Sequence, residues 1–311
     1  MNVIFHSNQL GIRGTEVALY DMAHYNETIL GNTSYITYPA NSDLSAFDKF
    51  NTRFKDRLLP YADFNSLEST CKVLNITHSY IIKYGTNDGK LIPGVKNFVH
   101  AVFDGSQPHG DCYAAISDWL AERYSIDYLP HNVSLPNIDL DYREYLNIPK
   151  EATVFGRYGG YDQFNVSYLP EVILQAAQQG RYFLLMNTKE LSVSHPNIIY
   201  LDGTTDLDTK TAFINTCDVM LHGRTDGESF GLAICEFLHQ NKPVITNLEC
   251  RDRHHITLMK DKGFYYTSDH ELYSILIAFE KKNYDVKKLV NQFSPTIVME
   301  KFKNMFLCPT E

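Results

Sequence analysis

The chain has 311 residues, 44% of them hydrophobic and 21% charged, and its 28 Lys and Arg against 37 Asp and Glu give a formal net charge of -9. That length is too great for one ordinary domain and suits two of about 150 residues, each able to bury a core, while the composition excludes a largely disordered chain. The acidic balance excludes broad nucleic-acid binding, which needs a basic face against phosphates, and favours a small or neutral substrate.

The opening Met1-Asn2-Val3-Ile4-Phe5-His6 lacks the basic and apolar regions of a secretory leader, and no later stretch is apolar for long enough to span a membrane, so the chain reads as cytoplasmic. Its six cysteines form no C-x-x-C pair, and several lie in apolar runs, as Cys235 does in Leu232-Ala233-Ile234-Cys235; they read as reduced core residues.

In chain order, short β-branched and aromatic runs alternate with amphipathic stretches, the pattern of βαβ units and mostly parallel sheets. In the first half, strands are predicted over 2–6, 34–38, 79–84, 97–103 and 112–117. Segment 47–59 sets Lys49, Arg53, Lys55 and Arg57 against Asp48 and Asp56. It reads as a solvated helix face in preference to a weak peripheral contact with an anionic membrane. Leu129-Pro130-His131-Asn132, Leu135-Pro136-Asn137 and Ile148-Pro149-Lys150 punctuate an irregular stretch that marks a domain boundary. Beyond it, strands are predicted over 153–157, 182–186, 197–201, 219–222 and 243–247, and helices over 169–178, 209–215, 230–239 and 270–281, where apolar residues recur three and four apart. The expected organisation is an α/β protein of two facing Rossmann-like domains, 1–140 and 150–285, with a ligand cleft between them. A C-terminal segment, 286–311, apolar at Leu289, Phe293, Ile297, Met299, Phe302 and Met305, is expected to be helical and to dock back across the cleft.

One run is dense in chemical signal: Leu221-His222-Gly223-Arg224-Thr225-Asp226-Gly227-Glu228-Ser229-Phe230-Gly231-Leu232-Ala233-Ile234-Cys235-Glu236. A buried strand ends near His222, a glycine-bearing loop follows, and a helix is predicted to start at Ser229 or Phe230. Ligands of open α/β sheets bind in such loops. Free amides of Phe230, Gly231 and Leu232 at a helix start would face an anion, and a diphosphate is the natural guest. Glu228 and Glu236 are eight residues apart, ~12 Å of rise if the whole span is helical, which suits one long ligand touched at both ends. Glu228 is read as accepting from sugar hydroxyls and Glu236 as gripping a ribose diol.

In this context the chain resembles glycosyltransferase family 4, retaining enzymes of the GT-B fold, whose signature is E-x7-E within a run like Glu228-Ser229-Phe230-Gly231-Leu232-Ala233-Ile234-Cys235-Glu236. Gly11-Ile12-Arg13-Gly14-Thr15-Glu16 is similar to the family's glycine loop after the first strand, and Phe98-Val99-His100 to the strand ending in its active-site histidine. Ile116-Ser117-Asp118-Trp119-Leu120, Pro130-His131-Asn132-Val133, Phe155-Gly156-Arg157 and Lys242-Pro243-Val244-Ile245 follow in the family's order. The resemblance implies that Gly14 lets backbone approach the donor, that His100 lies beside the reacting sugar, and that Arg157 neutralises the diphosphate. The family commonly adds a lysine beyond that arginine, yet residues 158–180 contain neither lysine nor arginine. Arg224, or Arg13 across the cleft, is expected to take that role. Thr204, in Asp202-Gly203-Thr204-Thr205, is expected near the base.

The implied activity is transfer of a hexose-type sugar from a UDP- or GDP-linked donor to a hydroxyl of a carbohydrate or lipid-linked acceptor, with anomeric configuration kept. No metal and no cofactor besides the donor are implied, and His254-His255 lacks a third ligand at metal-site spacing. Taken singly, the same residues have plainer readings: Glu236 as a solvated helix residue, Arg157 as an inter-domain ion pair, His100 as a hydrogen-bonded core histidine, Gly11 and Gly14 as a turn. Two other functions stay open, a sugar-nucleotide-binding protein without turnover and a sugar-nucleotide epimerase. A nicotinamide enzyme is disfavoured because the G-x-G-x-x-G register is absent at both Gly156 and Gly11.

Overall fold

Among the described residues every strand pairing is parallel. Sheets of that kind are covered on both faces, which is why their strands read as near-continuous apolar runs. The computed structural model describes residues 1–308 and divides into two units, residues 1–132 with the chain from Gln292 onward, and Val133–Asn291. The last three residues of the expected C-terminal helical segment, 309–311, lie outside the described residues.

Unit 1 contains strands β1 (Asn2–His6), β2 (Thr33–Pro39), β3 (Leu58–Tyr61), β4 (Ile76–Lys83), β5 (Lys96–Ala101), β6 (Cys112–Ala115) and β7 (Asp127–Tyr128), and helices α1 (Gly14–Thr28), α2 (Phe47–Phe54), α3 (Leu67–Val73) and α4 (Asp118–Tyr124). The order is β3-β2-β1-β4-β5-β6-β7, so its direction reverses between β1 and β4. Val3, Ile4 and Phe5 of β1 are wholly buried. The helix Pro295–Phe302, followed by a π turn Lys303–Leu307, completes this unit's core. Phe302 lies 6.1 Å from the ring of Tyr80 and 5.8 Å from that of Phe98, and Phe306 lies 5.1 Å from Phe98.

The basic segment differs from its sequence reading. Only α2 is helical; a 3-10 turn, Lys55–Arg57, leads into β3, which went unpredicted because a four-residue edge strand containing Pro60 lacks a clear period-2 signal. Lys55 is exposed, but the other three cations turn toward the fold. Arg53 pairs with Glu27 of α1 at 2.7 Å, Arg57 also bonds Glu27, and Lys49 sits 4.6 Å over the Tyr20 ring. Among the described residues no helix is long and apolar enough to cross a membrane.

Unit 2 contains β8 (Val154–Arg157), β9 (Tyr182–Met186), β10 (Ile198–Leu201), β11 (Val219–His222), β12 (Gly227–Glu228), β13 (Val244–Asn247), β14 (Asp252–Arg253) and β15 (Phe264–Tyr266). Its helices are α5 (Leu169–Gln178), α6 (Leu207–Thr216), α7 (Leu232–His239), α8 (His254–Met259) and α9 (Asp269–Ala278). The main sheet runs β10-β9-β8-β11-β13-β15 and reverses direction between β8 and β11; β12 and β14 form a separate two-stranded ribbon. Phe155 stacks on Phe183 at 5.2 Å between strands, and Leu169, Val172, Ile173, Leu272 and Leu276 of α5 and α9 cover that face. The cysteines are all free; Cys71, Cys217 and Cys235 are core residues as expected, Cys112 and Cys250 are half-buried, and Cys308 is exposed.

Candidate functional site

At a reversal of strand order, neighbouring strands send their following loops to opposite sides and leave a crevice at their carboxyl ends. In unit 2 that place lies beyond Arg157 of β8 and His222 of β11. The two loops are joined there: the backbone amides of Asn165 and Val166 donate to the Gly223 carbonyl at 2.9 and 3.2 Å, and the Thr225 amide donates to Asn165 Oδ1 at 2.9 Å.

Glu228 lies on the ribbon strand β12, paired with Arg253 of β14. One carboxylate oxygen is 3.2 Å from His222 Nε2 and the other accepts from Arg224 Nη1 at 3.2 Å. Burial by itself would raise this carboxyl, but the hydrogen bond from His222 and the nearby His222 and Arg224 side chains outweigh it and hold the pKa at about 2. The side chain remains 21% exposed, so an ionised acceptor still meets solvent. Behind it, His222 Nδ1 is 2.8 Å from Thr246 Oγ1, and Tyr266 Oη donates to the His222 carbonyl at 3.0 Å. The His255 ring lies 5.1 Å from that of His222, and burial keeps it well below the usual histidine range.

The helix after this loop begins later than its sequence reading. Gly231 is left-handed, φ 81°, and caps α7, whose first residue is Leu232; Cys235 N closes the first helical bond onto Gly231 O at 3.0 Å. The amides without a helical partner are therefore those of Leu232, Ala233 and Ile234. Only half of the Glu228 to Glu236 span is helical, so the rise of a continuous helix does not describe it. Ser229 and Phe230 are interior, 5% and 2% exposed, and the Phe230 ring stacks on His254, whose Nδ1 is 2.6 Å from the Phe230 carbonyl.

Arg157 is buried and committed. It donates to Asn187 O at 2.9 Å, Thr188 Oγ1 at 2.6 Å and Gly160 O at 2.6 Å, with the Phe164 ring 5.4 Å away. Burial lowers its pKa to about 10 although Glu228 opposes the shift. Glu236 is likewise engaged, bonded at 2.6 Å by Lys210 of α6, and both side chains are buried. Arg224 balances Glu228 and lies 3.9 Å from Asp226. Thr204, in the loop before α6, accepts from the Asp206 amide at 3.0 Å, and Asp206 in turn caps the helix. Two Asp-x-Asp triplets serve local turns: Asp141 accepts from the Arg143 amide and Asp206 from that of Thr209. Among the described residues no group of three or more His, Cys, Asp or Glu is placed to hold a metal ion.

Three predicted residues belong to unit 1. Arg13 precedes α1 and is exposed, and Gly14 opens the helix with open space around it, since an added Cβ would meet no atom within 4 Å. His100 is fully buried on β5. Its Nε2 faces the Leu129 carbonyl at 2.7 Å and therefore carries the proton, which leaves Nδ1 to accept from Tyr80 Oη at 2.5 Å. Burial lowers it to about 4. In this arrangement both nitrogens are occupied by the protein.

The structure brings Glu228, Arg224, Arg157 and the α7 start to one place; the sequence reading gave His222 no role beyond ending its strand and singled out neither Thr246 nor Lys210. His222 carried one usable signal, its place at the carboxyl end of a buried strand next to the reversal.

No protein-family model matches the chain, and no curated protein sequence does. Solved structures do. Anabaena HepE in complex with UDP-glucose is 14% identical with a TM-score of 0.73 over 98% of both chains, and its complex with UDP is 13% identical with a TM-score of 0.72 over 98% of this chain and 99% of that one. A glycosyltransferase from Rickettsia africae is 13% identical with a TM-score of 0.67 over 99% of both chains. At such identities the likeness shows the fold: two Rossmann-like units of the GT-B glycosyltransferase type.

Proposed function

We propose that the chain is a retaining, metal-independent glycosyltransferase of the family 4 kind, taking a hexose-type sugar from a UDP- or GDP-linked donor to a hydroxyl of a carbohydrate or lipid-linked acceptor. The observation that carries this reading is an ionised Glu228 beside the sheet reversal of unit 2, immediately before the free amides of α7. A diphosphate fits those amides because they offer preorganised donors and the positive end of a helix dipole to charge that grows as the sugar–phosphate bond breaks. The sugar hydroxyls fit Glu228, and the ribose diol fits Glu236 eight residues on. That HepE structures hold UDP and UDP-glucose supports the choice of donor class. Arg224, or alternatively Arg13, is the proposed source of the charge that residues 158–180 lack.

The test is a donor screen by thermal shift followed by transfer to a sugar panel. A ligand at 100 times its Kd raises stability by about 2.7 kcal/mol, so one UDP- or GDP-sugar should lift the melting temperature visibly and support turnover with retention. Glu228→Gln and Glu236→Gln should each weaken donor binding, and Arg224→Ala with Arg13→Ala should slow transfer. Unchanged donor affinity in the double glutamine variant would refute the reading. A sugar-nucleotide binder without turnover is the second reading, favoured by the commitment of Arg157 to three protein oxygens. Binding without any transfer would select it.

A further inference from the structure

Glu228 stands on a two-residue ribbon outside the main sheet, and Arg224, which bonds one of its oxygens, belongs to the same loop. Arg224 lies outside the main sheet and does not tie the carboxylate to it. His222 does. It ends β11 inside the main sheet, and its Nε2 reaches the other oxygen of Glu228 at 3.2 Å. We propose that His222 and Thr246 are positioning residues that aim the Glu228 carboxylate at the donor sugar, so that recognition of the sugar, and not of the nucleotide, depends on them. This rests on the reading of Glu228 as the sugar-binding carboxylate.

The parallel register explains why these two residues act together. His222 and Thr246 are direct partners across β11 and β13, which brings Thr246 Oγ1 within 2.8 Å of His222 Nδ1. Tyr266, on the next strand, holds the His222 carbonyl. An ionised carboxylate only accepts, so Nε2 must carry the proton it donates, and Nδ1 meets the Thr246 hydroxyl, which can either donate or accept. That second bond holds the plane of the ring, so that Nε2 stays aimed at Glu228. Without it the ring is free to turn about its side-chain bonds and to lose that aim. Thr246 and His222 are both buried, so the arrangement is set within the sheet.

The experiment compares dissociation constants by calorimetry for two probe pairs, UDP with UDP-glucose and GDP with GDP-mannose, using whichever pair the wild type binds. Variants are Glu228→Gln, His222→Phe, His222→Gln and Thr246→Val. A hydrogen bond to a charged group is worth roughly tenfold or more in affinity. Glu228→Gln and His222→Phe should therefore weaken the sugar nucleotide about tenfold while leaving the bare diphosphate unchanged. Thr246→Val keeps the β-branched shape, removes only the hydroxyl, and should weaken the sugar nucleotide about threefold to tenfold. His222→Gln, whose amide nitrogen can occupy the place of Nε2, should recover most of the loss. If Glu228→Gln shifts the ratio and Thr246→Val and His222→Phe do not, positioning is refuted and the role of Glu228 stands. Equal losses for diphosphate and sugar nucleotide in those two variants would make them structural residues and overturn the proposal. No shift in Glu228→Gln would remove the functional reading and this one with it. Should His222→Phe fail to fold, Thr246→Val alone decides.

Discussion

Three glycines allow one conformational cost to be separated from one steric cost. Gly231 and Gly180 have nearly the same left-handed backbone, φ 81° and 82°, and both belong to unit 2. A Cβ at Gly180 would meet nothing within 4 Å, whereas one at Gly231 would lie 3.1 Å from Glu228 Cβ and 3.2 Å from its Cγ. Gly180→Ala therefore carries only the left-handed penalty of about 1–2 kcal/mol. Gly231→Ala carries that penalty plus the cost of moving the Glu228 stem, roughly 1 kcal/mol more by analogy with overpacked sites. At ~2–4 °C per kcal/mol for a unit of this size, Gly180→Ala should melt lower by a few degrees and Gly231→Ala by about twice as much. Gly14 is the opposite case: it opens a helix with an ordinary backbone and open space, so Gly14→Ala should stabilise unit 1 by about 0.4–1 kcal/mol. If the donor backbone approach implied for Gly14 is real, the same change lowers donor affinity while the melting temperature rises. Differential scanning calorimetry and urea titration measure the stabilities, and calorimetric titration with UDP- and GDP-sugars measures the affinity. Gly231→Ala melting no lower than Gly180→Ala, or Gly14→Ala melting lower than wild type, would refute the reasoning.

Unit 1 should lose stability in mild acid. Burial lowers His6 and His100 to about 4 from 6.5, so between those values the unfolded chain binds up to two more protons than the folded one, and stability falls as pH falls. The slope approaches about 2.7 kcal/mol per pH unit for the two together, and His6→Gln or His100→Gln should reduce it by up to one proton, read from urea midpoints between pH 7 and pH 4. Gly156→Ala should cripple unit 2, because its Cβ would fall on Cys217 Sγ and within 2.9 Å of Cys217 Cβ, and limited proteolysis should find the unit open. Cys217→Ala in the same chain should recover part of that loss. Phe302→Ala should cost unit 1 about 3–5 kcal/mol, because the ring is fully buried against Tyr80 and Phe98.

Local periodicity reaches only as far as a few residues. The strands at Asn2–His6, Tyr182–Met186 and Val219–His222 match their sequence reading to the residue because each is a short apolar run covered on both faces. Leu58–Tyr61, Asp127–Tyr128 and the ribbon strands Gly227–Glu228 and Asp252–Arg253 were not legible, being short and at an edge or outside the main sheets, where no alternation or long apolar run can develop. The late start of α7 was hidden for another reason: Gly231 sits in an otherwise helical apolar pattern, and only its left-handed φ shows that the chain turns there before the helix begins.

By itself, then, the amino-acid sequence determined the α/β class, singled out the run from His222 to Glu236 as the candidate site, and showed the absence of basic residues over 158–180. Tertiary structure alone decided what each of those groups touches. Thr246 meets His222 from 24 residues away because two parallel strands share a register, and Lys210 meets Glu236 from 26 residues away because α6 and α7 pack in the same unit. Side-chain spacing along a strand or helix is written in the local sequence, but the partner of a buried charge is set by which elements become neighbours, and that depends on how the whole sheet is ordered.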